Sequence, residues 1–111
     1  MAYDEELAAR IRELVAGEPE LTEQKMFGGL AFLVGGNMAV AASAEGGLLV
    51  RVDPESSAEL VAATKARPME MRGRSMKGWL RVDDADVAGD AQLGEWVDRG
   101  RSYARSLPPK D

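Results

Sequence analysis

Between Glu23 and Val52 the chain gives up helical spacing for short apolar runs cut by glycine pairs, and this block limits what can form around it. Lys25-Met26-Phe27 stops at Gly28-Gly29, Leu30 to Val34 stops at Gly35-Gly36, and Asn37 to Ala42 runs into a Ser43 to Gly47 turn before Leu48 to Val52. A parallel crossover takes about a dozen residues, so connections this short leave only antiparallel pairing. The four runs therefore predict a meander, with Gly35-Gly36 as a two-residue hairpin turn.

Helical signals flank the block. Asp4 followed by Glu5 and Glu6 puts a capping side chain and two carboxylates at a helix start, where the backbone dipole favours them. Leu7, Ile11, Leu14 and Val15 then recur at helical spacing until Gly17 and Pro19 end the run. After the meander, Asp53-Pro54-Glu55 reads as cap, first-turn proline and acid, predicting a second helix from Pro54 to about Lys65 with Leu60, Val61 and Thr64 turned inward. Pro68 to Met71 and Lys77 to Val82 are two further strands around Gly73. In the last helix, capped by Asp90, the residues Leu93, Trp96, Val97, Gly100, Ala104 and Leu107 share one face until Pro108-Pro109. The order α-β-β-β-β-α-β-β-α implies an α+β fold, an antiparallel sheet with its helices on one face.

The central strands are apolar on both sides. Leu30, Phe32, Val34, Met38, Val40, Leu48 and Val50 are expected beneath the helices, which turns Ala31, Leu33, Ala39, Ala41 and Leu49 to the opposite face. A sheet with one wet face normally alternates apolar with polar. The second apolar face therefore predicts a cover, and the simplest cover is another copy of the chain, a homodimer.

With 111 residues the chain is one domain's length. Its 45% hydrophobic content is too high for disorder. Cysteine and histidine are both absent, which removes disulfides, thiol nucleophiles, imidazole bases and nitrogen- or sulfur-ligated zinc. No apolar run approaches the ~20 residues of a membrane span. The acidic start, Met1 to Glu6, lacks a signal peptide's basic residues, so a cytoplasmic protein is expected.

Three segments resemble chemical motifs without completing them. Gly73-Arg74-Ser75-Met76-Lys77-Gly78 has a phosphate loop's first glycine spacing, but Trp79-Leu80 stands where Lys-Ser/Thr must reach phosphate and magnesium. Asp84 to Glu95 has oxygen ligands at calcium-loop positions 1, 3 and 12 and glycine at 6, yet Ala88 at position 5 offers none. Ser75 and Lys77 would share a strand face, with nothing nearby to bury the lysine and activate it. No catalytic residue, metal or cofactor is expected.

Charge is more informative by segment than in total. Residues 1–64 carry four basic and eleven acidic side chains, residues 65–81 six basic and one acidic, and residues 82–111 four basic and seven acidic. In the basic block Lys77, Trp79 and Arg81 would share a strand face, and with Arg67, Arg72 and Arg74 they form a candidate partner surface. A protein partner is the first expectation. Direct nucleic-acid binding through the same strip is the alternative, weakened by the acidity of the rest of the chain. Replacing Trp79 and Arg74 by alanine is expected to abolish partner binding at little cost in stability.

Lys25-Met26-Phe27-Gly28-Gly29 followed by Gly36-Asn37-Met38 resembles the Met-Phe-Gly-Gly and Asp-Gly-x-Met pattern of the N-terminal domain of the TfoX/Sxy family. Arg67-Pro68-Met69, Leu93-x-x-Trp96-Val97 and the closing Ser106 to Lys110 are similar to its single-domain branch. The resemblance implies a small α+β domain of the secretion-chaperone-like type, often dimeric and without known catalysis. It also implies a link to transcription, since full-length members regulate natural competence with the cyclic-AMP receptor protein and carry a second, helical domain. Residues 1–111 are accordingly read as one such N-terminal domain without the second.

Overall fold

The computed structural model describes residues 3–26, 28–44, 46–71 and 73–108, apart from the side chains of Met71, Ser75 and Lys77. Phe27, placed by the sequence at the end of the first strand, and Arg72 of the basic block lie outside the described residues.

Helix α1 (Glu5–Leu14) opens as its cap predicts: Asp4 Oδ1 accepts the backbone N–H groups of Glu6 at 2.9 Å and Leu7 at 3.2 Å. Leu7, Ala8 and Ile11 face the core, joined by Val15, while Leu14 is left exposed. The sheet contains β1 (Leu21–Met26), β2 (Gly29–Val34), β3 (Asn37–Ala42), β4 (Leu48–Arg51), β5 (Arg67–Met71) and β6 (Arg74–Val82), arranged 1-2-3-4-6-5 and antiparallel throughout. Gly35 and Gly36 make the predicted tight turn, both with positive φ. Helices α2 (Ser57–Ala63) and α3 (Asp90–Ser106) complete the order, with a short 3₁₀ turn at Asp84–Val87.

Several boundaries move, each for a local reason. Strand β1 starts at Leu21 because it pairs along the whole of β2, from Leu21 opposite Val34 to Met26 opposite Gly29. As an edge strand it carries exposed polar residues from Thr22 to Lys25, so it lacks the apolar rhythm that marks a strand. Helix α2 is shorter than expected. Asp53 first closes a turn, accepting from the Glu55 N–H through its side chain at 2.9 Å and from the Ser56 N–H through its carbonyl at 2.8 Å. Gly89, not Asp90, caps α3; Asp90 is the first helical residue and accepts a hydrogen bond from Arg10 of α1 at 3.0 Å.

The helix-covered core contains Phe32, Val40, Leu48, Val50, Leu80 and Val82 from the sheet against Ile11, Leu93, Trp96 and Val97 from α1 and α3. One part of the expected alternation is wrong. Phe32 lies opposite Val40 but Leu33 lies opposite Met38, so Ala39 is an extra residue in β3. Such a bulge sets two residues against one and flips the side chains beyond it. Ala39 therefore packs under α3 with Val34 and Ala104, whereas Met38 crosses to the opposite face beside Ala31, Leu33 and Ala41. Ala39 is thus removed from the proposed self-association face, and Met38 takes the place assigned to it.

Ion pairs tie the outer elements down. The Glu18 carboxylate, 1% exposed, is clamped by Arg105 and Arg101 of α3. Glu23 on β1 accepts two bonds from Arg12 of α1, at 2.7 and 2.9 Å. That hydrogen bonding, aided by the guanidinium charge and opposed by partial burial, holds the Glu23 carboxyl below its usual range. A lowered folded-state pKa stabilises the protein above the ordinary carboxylate value and stops doing so as pH falls through the depressed one. Glu23→Gln should therefore lower Tm slightly at neutral pH and converge on wild type as pH falls below about 4.5, so that the acid limb is flatter because its plateau is lower. An unchanged acid limb in a thermal melt series would discount this pair.

Candidate functional site

Away from the helices the sheet curls. Strand β6 bends at Gly78, whose φ of 84° disfavours any side-chain-bearing residue, and where a Cβ would stand 3.0 Å from the Val52 carbonyl oxygen. Its pairing with β5 shifts at the same place, from Pro68 opposite Leu80 to Met69 opposite Met76. As a result Met69 of one edge strand and Met26 of the other line a single cleft of about 310 Å³. Its floor includes Gly29, Ala31, Ala41 and Leu49, with Met38 and Trp79 at its sides and Ser43, Glu70 and Arg81 at its polar end.

This cleft occupies the face expected to meet a second copy. Ala31, Leu33, Ala41 and Leu49 do point there, but none is more than 8% exposed within the single chain. Met69, Trp79 and Met26 pack against them, so the apolar character of the face does not by itself require another molecule. The reason is curvature: a flat sheet would leave these residues open, and a curled one shields its own concave side.

The basic strip is divided by the fold. Arg67 and Arg81 are cross-strand partners and line a second, more polar cleft of about 800 Å³ together with Glu70, Asp83 and Asp84. Arg67 is ion-paired with Asp83. Arg81 donates to Ser43 Oγ and to the Gly46 carbonyl, both at 3.4 Å. Arg74 is exposed at the start of β6. Arg72 lies outside the described residues, as does the side chain of Lys77.

Trp79 and Arg81 share the concave face as the strand alternation predicts, with Trp79 opposite Arg51 and Arg81 opposite Leu49 on β4. Trp79 is half-buried in the apolar cluster, so replacing it will cost stability, contrary to the expectation of a neutral change. Burial of this kind gives a Trp79→Ala penalty of about 2 kcal/mol.

Sequence reasoning missed Arg51. Its guanidinium carbon lies 5.3 Å from the ring centre of Trp79 and 5.6 Å from that of Tyr103 on α3. Contacts at these distances are cation–π attractions. Among the described residues no carboxylate pairs with it. The available signal was its position two residues after Leu49, on the same face of β4; it was hidden because Arg51 falls in the acidic part of the chain and because Tyr103 arrives from a distant helix.

The other motif-like segments are used structurally. Asp84 Oδ1 accepts the Gly47 N–H at 3.1 Å, Asp86 lies near Lys65, and Asp90 is held by Arg10, so the carboxylates of the calcium-like segment diverge onto separate partners. Among the described residues no three carboxylates gather as a metal site, and no helix is long and apolar enough to cross a membrane. A family model for the TfoX N-terminal domain matches residues 13–104 of the chain. No curated protein and no solved structure matches it.

Proposed function

The chain belongs to the TfoX N-terminal domain family, and from that premise we propose that it is a non-catalytic, cytoplasmic protein-interaction module in transcriptional regulation. The family supports a regulatory, competence-related role. The surface observation that carries the finer reading is the half-buried Trp79 set among Arg51 and Arg81 on one sheet face, with exposed Arg74 farther along β6. Tryptophan and arginine dominate the residues on which protein interfaces depend, because each combines large contact area with few ordered torsions or several donors.

Protein rather than nucleic acid is favoured as partner. Arg67 is paired with Asp83, and Glu70 and Asp84 line the same cleft as Arg67 and Arg81, so phosphate would meet carboxylates there. Arg74→Glu alters an exposed side chain and should leave Tm within about 2 °C of wild type. In a pull-down from native extract this variant is expected to lose the proteins that the wild type retains. Retention of the same proteins would move the interface elsewhere. Binding of DNA or RNA at low salt, weakening steeply as salt rises, would establish the nucleic-acid reading instead.

A further inference from the structure

We propose that the edge strand β1 pairs with β1 of a second copy of this chain, antiparallel and in one register, about a two-fold axis at Gln24. This edge lies across the sheet from Trp79 and Arg74 on β6, so the partner surface described above stays free in both copies.

The two edges of the sheet are built differently. On β5, Pro68 has no N–H to give and the register shifts beside it, features that stop a further strand from adding. Strand β1 keeps an unbroken register along β2 and contains neither proline nor glycine. Thr22, Glu23, Gln24 and Lys25 are all exposed, and among the described residues no strand pairs beyond them.

Backbone phase restricts what can join this edge. In an antiparallel pair only alternate residues exchange hydrogen bonds. The Gly35 N–H donates to the Glu20 carbonyl at 3.1 Å, and the register then gives the bonds with β2 to Thr22, Gln24 and Met26. The N–H and C=O groups of Leu21, Glu23 and Lys25 are therefore directed away from the sheet. A second β1 can bond only through its own copies of these residues, so the two-fold axis must pass through a residue and not between two.

Charge selects among the positions that remain. With the axis at Gln24, Glu23 stands opposite the second copy's Lys25, and Lys25 opposite its Glu23. Moving the axis one residue either way sets Glu23 against Glu23 or Lys25 against Lys25, and like charges directly opposite repel. Strand alternation puts Lys25 on the same face as Glu23, the face that meets Arg12. The two bonds from Arg12 leave each Glu23 oxygen a further lone pair for an incoming ammonium. Among the described residues Lys25 has no ion pair in its own chain. A lysine on an edge ordinarily deters other strands. Here it admits the one strand that brings Glu23 to meet it.

The chain contains no cysteine, so a single introduced thiol reports the axis directly. At a non-hydrogen-bonded pair the Cα atoms are about 4.5 Å apart, within disulfide reach, and Gln24→Cys is expected to cross-link into a covalent dimer under mild oxidation. Thr22→Cys, likewise exposed, would stand about 14 Å from its counterpart and should remain uncoupled. Sedimentation equilibrium of the wild type up to about 1 mM covers even a weak dimer, since a Kd of about 0.1 mM leaves most chains paired there. Lys25→Glu and Glu23→Lys should each weaken association at least about tenfold, because each creates two like-charge pairs. An equimolar mixture of the two variants should recover it, since their edges are complementary. Thermal melts check that both fold, and the cysteine pair keeps the test decisive if one does not. A wild type that stays monomeric, Thr22→Cys cross-linking as fast as Gln24→Cys, or a mixture no more associated than its components would each overturn the proposal. A dimer indifferent to both charge reversals would place the contact on another face and overturn it as well.

Discussion

Gly100→Leu is expected to lower stability by about 3 kcal/mol and Tm by about 15 °C. Helix α3 crosses the sheet at Gly100 so closely that a Cβ there would stand 2.4 Å from the Ala39 carbonyl oxygen and 2.9 Å from Val40 Cγ1. The first of these neighbours is backbone, held in place by the bulge in β3, and cannot rotate aside. Relief requires the helix to lift, which would loosen Trp96, Val97 and Ala104 from the sheet together. Gly94 is the internal control, since it lies in the same helix with open space around its missing side chain. Gly94→Ala should stabilise by up to about 1 kcal/mol, because alanine loses less backbone freedom in a helix. Chemical denaturation of both variants decides the matter: equal effects would mean that the close approach is not what glycine provides at position 100.

Phe32→Ala is expected to cost about 4 kcal/mol, a large share of a total stability of about 5–15 kcal/mol. Phe32 is fully buried opposite Val40, one residue before the strand register shifts, and its ring belongs to the core shared by α1, α3 and the sheet. Its neighbour Leu33 makes the informative comparison, because it points to the concave face instead. Leu33→Ala should cost about 2 kcal/mol, the low end for such truncations, since that side of the sheet is already incompletely filled. Urea melts with unchanged slopes would read out both differences. A Phe32→Ala loss below about 1.5 kcal/mol would show that the helix-covered side is not the dominant core.

Much of the architecture was legible because it rests on local chemistry. The Asp4 cap, the Gly35-Gly36 turn and the apolar stripe Leu93, Trp96, Val97, Gly100 and Ala104 depend on residues near in sequence, and each forms as read. Strand β1 was half hidden, since an edge strand can be stable with polar side chains on both sides. The bulge at Ala39 was hidden altogether, because two-residue alternation has no mark for an inserted residue that keeps the same apolar character.

The candidate site divides along the same line. Alternation gave Trp79 and Arg81 a common face, and apolar patterning identified Ala31, Leu33, Ala41 and Leu49 as facing away from the helices. Whether those residues meet water, another molecule or their own chain depends on how far the sheet curls, and that is set by the bend at Gly78 and the contacts of both edge strands. The pairing of Arg51 with Trp79 and Tyr103 likewise joins residues far apart in sequence. Periodicity and capping were enough for the elements along the chain, the antiparallel meander and most of the helix-facing core, because these depend on neighbours in sequence. The bulge and the cleft come from contacts between strands distant in sequence, and so appear only in the folded chain.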